Sequence, residues 1–420
     1  MSKSWPKVPL KYLVRKIGSG KTPKGGAEVY VKAGVMLLRS QNIHFDGLRL
    51  DDVVFIDEAV DEEMASTRVL PRDVLLNITG ASIGRCTVVP DHFDDANVNQ
   101  HVCIIRTNPE RLHPEYLGAV LQSNVIQTSI RVSENGSSRE GLTFEQIGAF
   151  EIPLPPLEEQ RIVVSEVGAK LQVFLSAITE KQHLLSLLTE KRRAVIADFV
   201  TKGLNKDTPR RDSGIPWLGE ISEHWRIERA KWLFTERDDR SDFGDEVLLT
   251  VSHLTGVTSR AEKDVNMFMA ESLEGYKRCQ AGDLVINTLW AWMGAMGVAR
   301  QSGIVSPAYN VYQPVAELNP EYVDLLVRTP RFVEEITRYS KGVWSSRLRL
   351  YPEGLYEAWL PVPPLDEQQA IVKHVQTETQ KLDALAGATE RTIALLQERR
   401  SALISEAVTG QLDLETDHAN

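Results

Sequence analysis

Three stretches of this 420-residue chain carry residue types that do chemistry in other settings. Gly18-Ser-Gly-Lys-Thr22 has the composition of a phosphate loop. The full pattern needs another glycine five residues before the second, where Arg15 stands, and Pro23 follows where a helix should begin. That leaves a basic turn (Lys16, Lys21, Lys24) able to meet nucleic-acid phosphate, or a plain surface turn. Asn319-Pro-Glu-Tyr322 resembles the Asn-Pro-Pro-aromatic motif of amino-methyltransferases but lacks the second proline, and no glycine-rich cofactor loop lies upstream. It reads better as a helix start, as does the parallel Pro114-Glu-Tyr116. The third stretch, 338–349, interleaves Arg338, Lys341, Arg347 and Arg349 with Tyr339, Trp344 and serines. Arginine and lysine hold phosphates or read guanine edges; a solvated loop is the alternative. Trp290 and Trp292 are either core or an aromatic face. No Gly-x-Ser-x-Gly or His-Glu-x-x-His motif occurs, so nothing proposes a reaction or a cofactor.

The elements that must position these residues come in duplicate. Ile152-Pro-Leu-Pro-Pro-Leu-Glu-Glu-Gln160 recurs as Leu360-Pro-Val-Pro-Pro-Leu-Asp-Glu-Gln368, an offset of 208 (Pro155 to Pro363). Each copy is a stiff extended segment that breaks into a helix with acidic residues in its first turn, where the helix dipole favours them. In the first helix Val163, Val167, Leu171, Phe174, Ile178, Leu185, Leu188 and Val195 form one apolar stripe. It spans about 60 Å of helix at 1.5 Å per residue. Ile371, Val375, Leu382, Leu385, Leu396 and Leu403 form the second stripe. The two stripes pair, antiparallel because a whole domain separates them in sequence.

Short apolar runs of strand length (Val35–Leu38, Val74–Ile78, Val102–Arg106) make the preceding globule mixed α and β. The second globule echoes it: Arg72-Asp-Val-Leu-Leu-Asn77 matches Gly282-Asp-Leu-Val-Ile-Asn287, and Ser137-Ser-Arg139 matches Ser345-Ser-Arg347. The architecture expected is α+β, two mixed globules separated by two long helices in an antiparallel coiled coil, with a pseudo-twofold internal repeat. The divisions are 1–151 (first globule), 152–202 (proline lead-in and helix), 203–224 (connector), 225–359 (second globule), 360–412 (second lead-in and helix) and 413–420 (disordered tail).

Composition limits the function classes. The hydrophobic fraction of 42% suits a globular protein with sizeable cores, and no apolar run is read as long enough for a bilayer. Cys86, Cys103 and Cys279 are far apart, and the nine histidines do not cluster at metal-ligand spacing, which points to a reducing, cytoplasmic setting without a zinc site. A net charge of −10 requires that any nucleic-acid contact come from local basic loops or from a partner.

The duplicated proline lead-in, the connector Ser213-Gly-Ile-Pro-Trp-Leu-Gly-Glu-Ile-Ser-Glu-His-Trp225, and the segments Asp73–Gly80 and Asn97-Val-Asn-Gln-His101 together resemble the specificity subunit of type I restriction–modification systems, over nearly the whole chain. The resemblance implies that each globule is a target recognition domain reading half of a split, asymmetric double-stranded DNA target. The helices would then set the gap and dock two modification (methyltransferase) subunits, with restriction (ATP-dependent translocase and nuclease) subunits joining them. The chain itself would carry no catalysis. Candidate DNA contacts in the first head are Lys21, Lys24, Arg39, Gln41, Asn42, Thr79, Ser82, Asn99, Gln100 and Arg139. In the second they are Arg240, Ser252, His253, Trp290, Tyr309, Asn310, Lys341 and Arg347. A coiled-coil protein–protein adaptor is the alternative function.

Overall fold

The computed structural model describes residues 5–135, 141–205, 207–262, 272–342 and 348–412. The chain divides into two units, Met1–His183 with Thr389–Asn420, and Leu184–Ala388. The division falls inside the long helices, so each unit holds the start of one helix and the end of the other.

The helices span Leu157–Lys202 and Leu365–Val408. Glu158 and Glu159 open the first, Asp366 and Glu367 the second. Each is followed by a glycine with positive φ, Gly203 (79°) and Gly410 (74°), a conformation in which only glycine avoids a steric penalty. In the second unit Phe199 packs edge-on against His374 at 4.5 Å, and Arg192 Nε meets Asp383 Oδ1 at 3.1 Å, so partner positions rise on one helix as they fall on the other. In the first unit Val163 and Val167 share a core with Ile404, Ala407 and Val408.

The apolar stripe is narrower than the periodicity implies. Val167, Ile178, Leu188 and Val375 are buried, whereas Leu171, Phe174, Leu185, Leu382, Leu396 and Leu403 are half-buried. Leu385 is 47% exposed, and Ile196 and Val200 take the place assigned to Val195. A two-helix seam covers only part of each helix, so flanking apolar positions stay open. The first helix also meets the length and composition test for crossing a membrane, with a mean hydropathy of 1.5 in its most apolar 18 residues. Residue by residue the sequence shows no unbroken run there, because Glu166 and Lys170 interrupt it, yet the stretch is apolar on average.

The first head is built on a four-stranded antiparallel sheet in the order Val14–Ser19, Val102–Thr107, Val74–Asn77, Cys86–Val88. The second head repeats it with Phe234–Arg237, Tyr309–Pro314, Leu284–Asn287, Met296–Val298, again antiparallel. Both inner faces are apolar, and every residue of Val74–Asn77 and of Leu284–Asn287 is buried. The turn before each central strand needs positive φ: the second head uses Gly282 (97°), the first Arg72 (67°). Lys7–Pro9 and Arg226–Arg229 pair with the strands that lead into the proline stretches.

The connector 203–224 is itself folded. Arg210–Asp212 pairs with Glu220–Ser222, and Trp217, Leu218 and Ile221 join the second unit's core, where the Trp217 ring meets Phe332 at 5.3 Å. The connector's proline and glycines build a hairpin whose apolar side chains need burial. The expected tail, 413–420, lies outside the described residues.

Candidate nucleic-acid interface

One end of the first head's sheet collects Ser19, Asn77 and Val102, and with them the loops that follow or precede those strands. Gly20 makes the collection possible. Its backbone N–H donates to Val102 O at 3.2 Å, and a Cβ there would lie 1.7 Å from Val98 O. Only glycine lets the 20–25 loop cross the turn at 98–101 this closely. The crossing brings Thr22 to Gln100: Thr22 Oγ1 donates to Gln100 Oε1 at 2.5 Å. Gln100 Nε2 lies 2.9 Å from His101 Nε2, and His101 Nδ1 lies 2.5 Å from Thr79 Oγ1. Asn99 Oδ1 accepts from the His101 N–H at 3.1 Å and fixes the turn. The phosphate-loop look-alike is therefore a close-approach glycine followed by a hydrogen-bonding threonine. Lys21 and Lys24 are exposed beside it, and Lys24 has Glu63 at 3.6 Å.

Asn77 ties a second loop to this end. Its Nδ2 donates to Ser40 O at 2.8 Å and to Ser82 Oγ at 3.1 Å. Beside Ser40, however, the candidates serve the loop itself. Asn42 is fully buried; it accepts from Arg39 N at 2.9 Å and donates to Arg49 O at 2.9 Å and Asp52 Oδ1 at 3.0 Å. Both its N–H groups are spent and the side chain is out of reach of solvent, so it offers nothing to a ligand. Gln41 hydrogen-bonds Asp52, and Arg39 donates to the Asp52 carbonyl at 2.7 Å. Arg139 lies outside the described residues, although Leu142 N bonds Ile78 O at 2.9 Å and anchors the following segment at the same end.

In the second head the register Asn287↔Tyr309 marks the equivalent end. Trp290 is 50% exposed there, so it is not core. Leu350 N bonds Thr288 O at 2.9 Å, matching Leu142–Ile78, and Lys341 pairs with Arg349 through two 2.9 Å backbone bonds. Lys341 thus sits beside the Trp290 turn; Arg347 is outside the described residues. Tyr309 packs against a core and burial raises its hydroxyl pKa. Asn310 is occupied by Lys277 Nζ (3.3 Å) and the Tyr312 hydroxyl (3.1 Å). Arg240, in the loop after Phe234–Arg237, binds Asp238 at 2.9 Å. Ser252 and exposed His253 belong to a separate hairpin, Leu249–Ser252 with Gly256–Ser259, and Ser252 Oγ accepts from Leu254 N at 3.1 Å.

At the opposite end of each central strand lies an ion pair with a buried aspartate. Asp73, 1% exposed, takes two bonds from Arg106 at 2.7 and 2.8 Å, and Asp283 takes Arg237 Nε at 2.9 Å. His101, Thr22 and Asn77 were missed from sequence. Asn77 and Asn287 close the matching strings Arg72–Asn77 and Gly282–Asn287, and that recurrence was the available signal. Among the described residues no group of His, Cys, Asp and Glu is arranged to hold a metal.

Residues 60–182 match the type I restriction modification DNA specificity domain. The type I restriction enzyme EcoBI specificity subunit of Escherichia coli is 22% identical over 344 residues, covering 76% of this chain and 70% of that protein. These matches indicate a type I restriction–modification specificity subunit. The EcoKI specificity subunit of Escherichia coli K12 is 19% identical over 425 residues, covering 98% of this chain and 90% of that protein. A solved chain from work on complex assembly and conformational transition of a type I R-M system superposes with a TM-score of 0.66 at 18% identity, covering 98% of this chain and all of that one, a likeness of fold. That likeness of fold spans both repeats of head and helix.

Proposed function

We propose that this chain is a specificity subunit that reads a bipartite, asymmetric DNA target, one half with each head, and positions two adenine-methylating modification subunits and the DNA-cleaving restriction subunits while carrying no catalysis itself. One observation carries the reading. Both heads use the same four-stranded sheet, yet the corresponding end presents different side chains: Thr22, Thr79, Gln100 and His101 in one, Trp290 and Lys341 in the other. A shared scaffold with divergent loops fits two readers of different half-sites. The net charge of −10 fits a subunit whose partners supply much of the phosphate contact. The exposed Val173, Leu187 and Leu395 on the helices suit protein docking.

The test is a methylome. The chain is co-expressed with the modification subunit encoded beside it in a host lacking adenine methylation, and methylated adenines are mapped by single-molecule sequencing. A split motif around a fixed gap is expected, and exchanging one head changes one half of it. A head exchange that leaves the methylated sequence unchanged overturns the reading.

A further inference from the structure

Gln100 is the only exposed carboxamide in the first head's hydrogen-bonded chain from Thr22 through His101 to Thr79. A carboxamide oxygen has two lone pairs and its nitrogen two protons. Thr22 takes one lone pair and His101 one N–H, so one acceptor and one donor remain. The chain can carry its protons in either direction. With Gln100 donating to His101 Nε2, the imidazole proton sits on Nδ1 and goes to Thr79 Oγ1. With the amide turned over, His101 Nε2 donates to Gln100, Thr79 donates to Nδ1, and Gln100 donates to Thr22. Both arrangements hold the amide plane at two points and leave one acceptor and one donor free, with their places exchanged; the arrangement with Thr22 donating to Oε1 is the one the structure shows.

The support is rigid. Asn99 Oδ1 holds the His101 N–H, Ile78 N bonds His101 O at 3.0 Å, Asn99 N bonds Leu38 O at 3.0 Å, and Gly20 fixes the position of Thr22. A long, unbranched glutamine side chain costs rotamer entropy to order in a complex. Here that ordering is built in before any ligand arrives, which favours both affinity and discrimination. Exposed Lys21 adjoins Thr22 in the chain, and Lys24, two residues on, has Glu63 at 3.6 Å.

A planar amide with one free acceptor beside one free donor is complementary to the major-groove edge of adenine, whose N6 donates and N7 accepts. The geometry points to Gln100 as the residue that reads an adenine in the half-site of the first head, with Thr22 and His101 as positioning residues. This rests on the proposal that the heads read DNA. Thr22 and His101 touch no base; they decide whether the amide meets the base edge at a fixed angle.

The experiment compares methylomes of the assembled complex carrying the unaltered chain, Gln100→Glu, Thr22→Val or Thr22→Ser. The unaltered complex specifies an adenine at one position of one half-site. Gln100→Glu, which can only accept, shifts that position toward cytosine, whose N4 donates. Thr22→Val relaxes that position alone, and Thr22→Ser keeps it. The other half-site, read by the second head, stays unchanged and reports that the complex is assembled. As a binding measurement, replacing that adenine by 7-deazaadenine weakens the unaltered complex by at least about fivefold and leaves Gln100→Glu indifferent. Unchanged motifs in both Gln100→Glu and Thr22→Val overturn the assignment. So does equal sensitivity of the unaltered and Gln100→Glu complexes to 7-deazaadenine, which also covers a variant too weak to methylate. A complex that methylates no split motif even with the unaltered chain fails the underlying reading instead.

Discussion

Gln160 and Gln368, 208 residues apart, are both fully buried and make matching bonds. Gln160 Oε1 accepts from His113 N at 2.8 Å and its Nε2 donates to Pro155 O at 2.9 Å. Gln368 Oε1 accepts from Asn319 N at 2.8 Å and its Nε2 donates to Pro363 O at 2.9 Å. Each glutamine thus locks the proline stretch to the first turn of its long helix and to the N-terminus of the head's Pro-Glu-Tyr helix. The tyrosines of those helices close the other side. Tyr322 hydroxyl donates to Val200 O at 2.8 Å, near the end of the first long helix, and Tyr116 hydroxyl reaches Pro153 O at 2.9 Å and Val408 O at 3.4 Å. Val200 and Val408 are themselves related by the offset of 208.

Removing either amide strands a buried backbone N–H and a proline carbonyl. Gln160→Ala or Gln368→Ala is expected to cost about 2–4 kcal/mol of stability in its own unit. Tyr322→Phe is expected to cost about 1 kcal/mol, since it removes one bond and keeps the ring. Denaturant unfolding of each variant, followed by hydrogen exchange to locate the loss, checks both.

Asp73 and Asp283 predict a second matched pair. Each also caps its own turn, accepting from Leu70 N at 2.7 Å and Gln280 N at 2.8 Å. Their arginines come from different strands, Arg106 opposite Lys16 in one head and Arg237 on the edge strand in the other. Asp73→Ala leaves a partly buried guanidinium and an uncapped turn and is expected to cost about 3 kcal/mol or more. Arg237→Ala is expected to destabilise the second head in the same way. The double variant Asp73→Ala with Arg106→Ala is expected to recover part of the loss, which a double-mutant cycle measures.

Gly20→Ala is expected to displace the 20–25 loop, because the new Cβ meets backbone oxygen at 1.7 Å rather than a side chain that can move. The methylome of that variant should lose definition in the first head's half-site and keep the second. Gly168 has nothing within 4 Å of an added Cβ, so Gly168→Ala should be neutral or slightly stabilising and serves as the control.

Glu246 carries an acid-dependent contribution to the second head. Its carboxylate accepts from Ser241 and from Arg278, and these bonds hold its pKa down to about 2 from the usual 4.5. A group depressed in the folded state contributes stability that is present above its unfolded pKa and is lost as the pH falls through the folded one. The stability difference between the unaltered chain and Glu246→Gln should therefore be complete above about pH 5 and vanish as the pH approaches 2. Thermal melts across that range measure it. A difference independent of pH would assign the effect to packing.

The amino-acid sequence by itself determined the repeated plan. Proline cannot extend a ladder or a helix, so the duplicated Pro-Pro-Leu-x-Glu-Gln string had to mark two breaks into helix, and the acidic first turns followed from the helix dipole. Local signals of this kind survive in any tertiary setting. The stripe was legible as a period, yet which residues lie inward was not: Val195 gave way to Ile196 and Val200, and Leu385 on the other helix stays exposed, because the partner helix decides the buried azimuth. The proline- and glycine-rich stretch 203–224 was legible only as a connector, because burial of Trp217 and Ile221 depends on residues such as Phe332, more than a hundred positions away. The candidate site divided in the same way. Thr79, Ser82, Asn99 and Gln100 were legible as polar loop residues, but Asn42 looked the same and is spent inside its loop. The contact of Thr22 with Gln100, 78 residues apart, exists only because Gly20 lets two backbones touch, and a distance of that kind is decided by the fold.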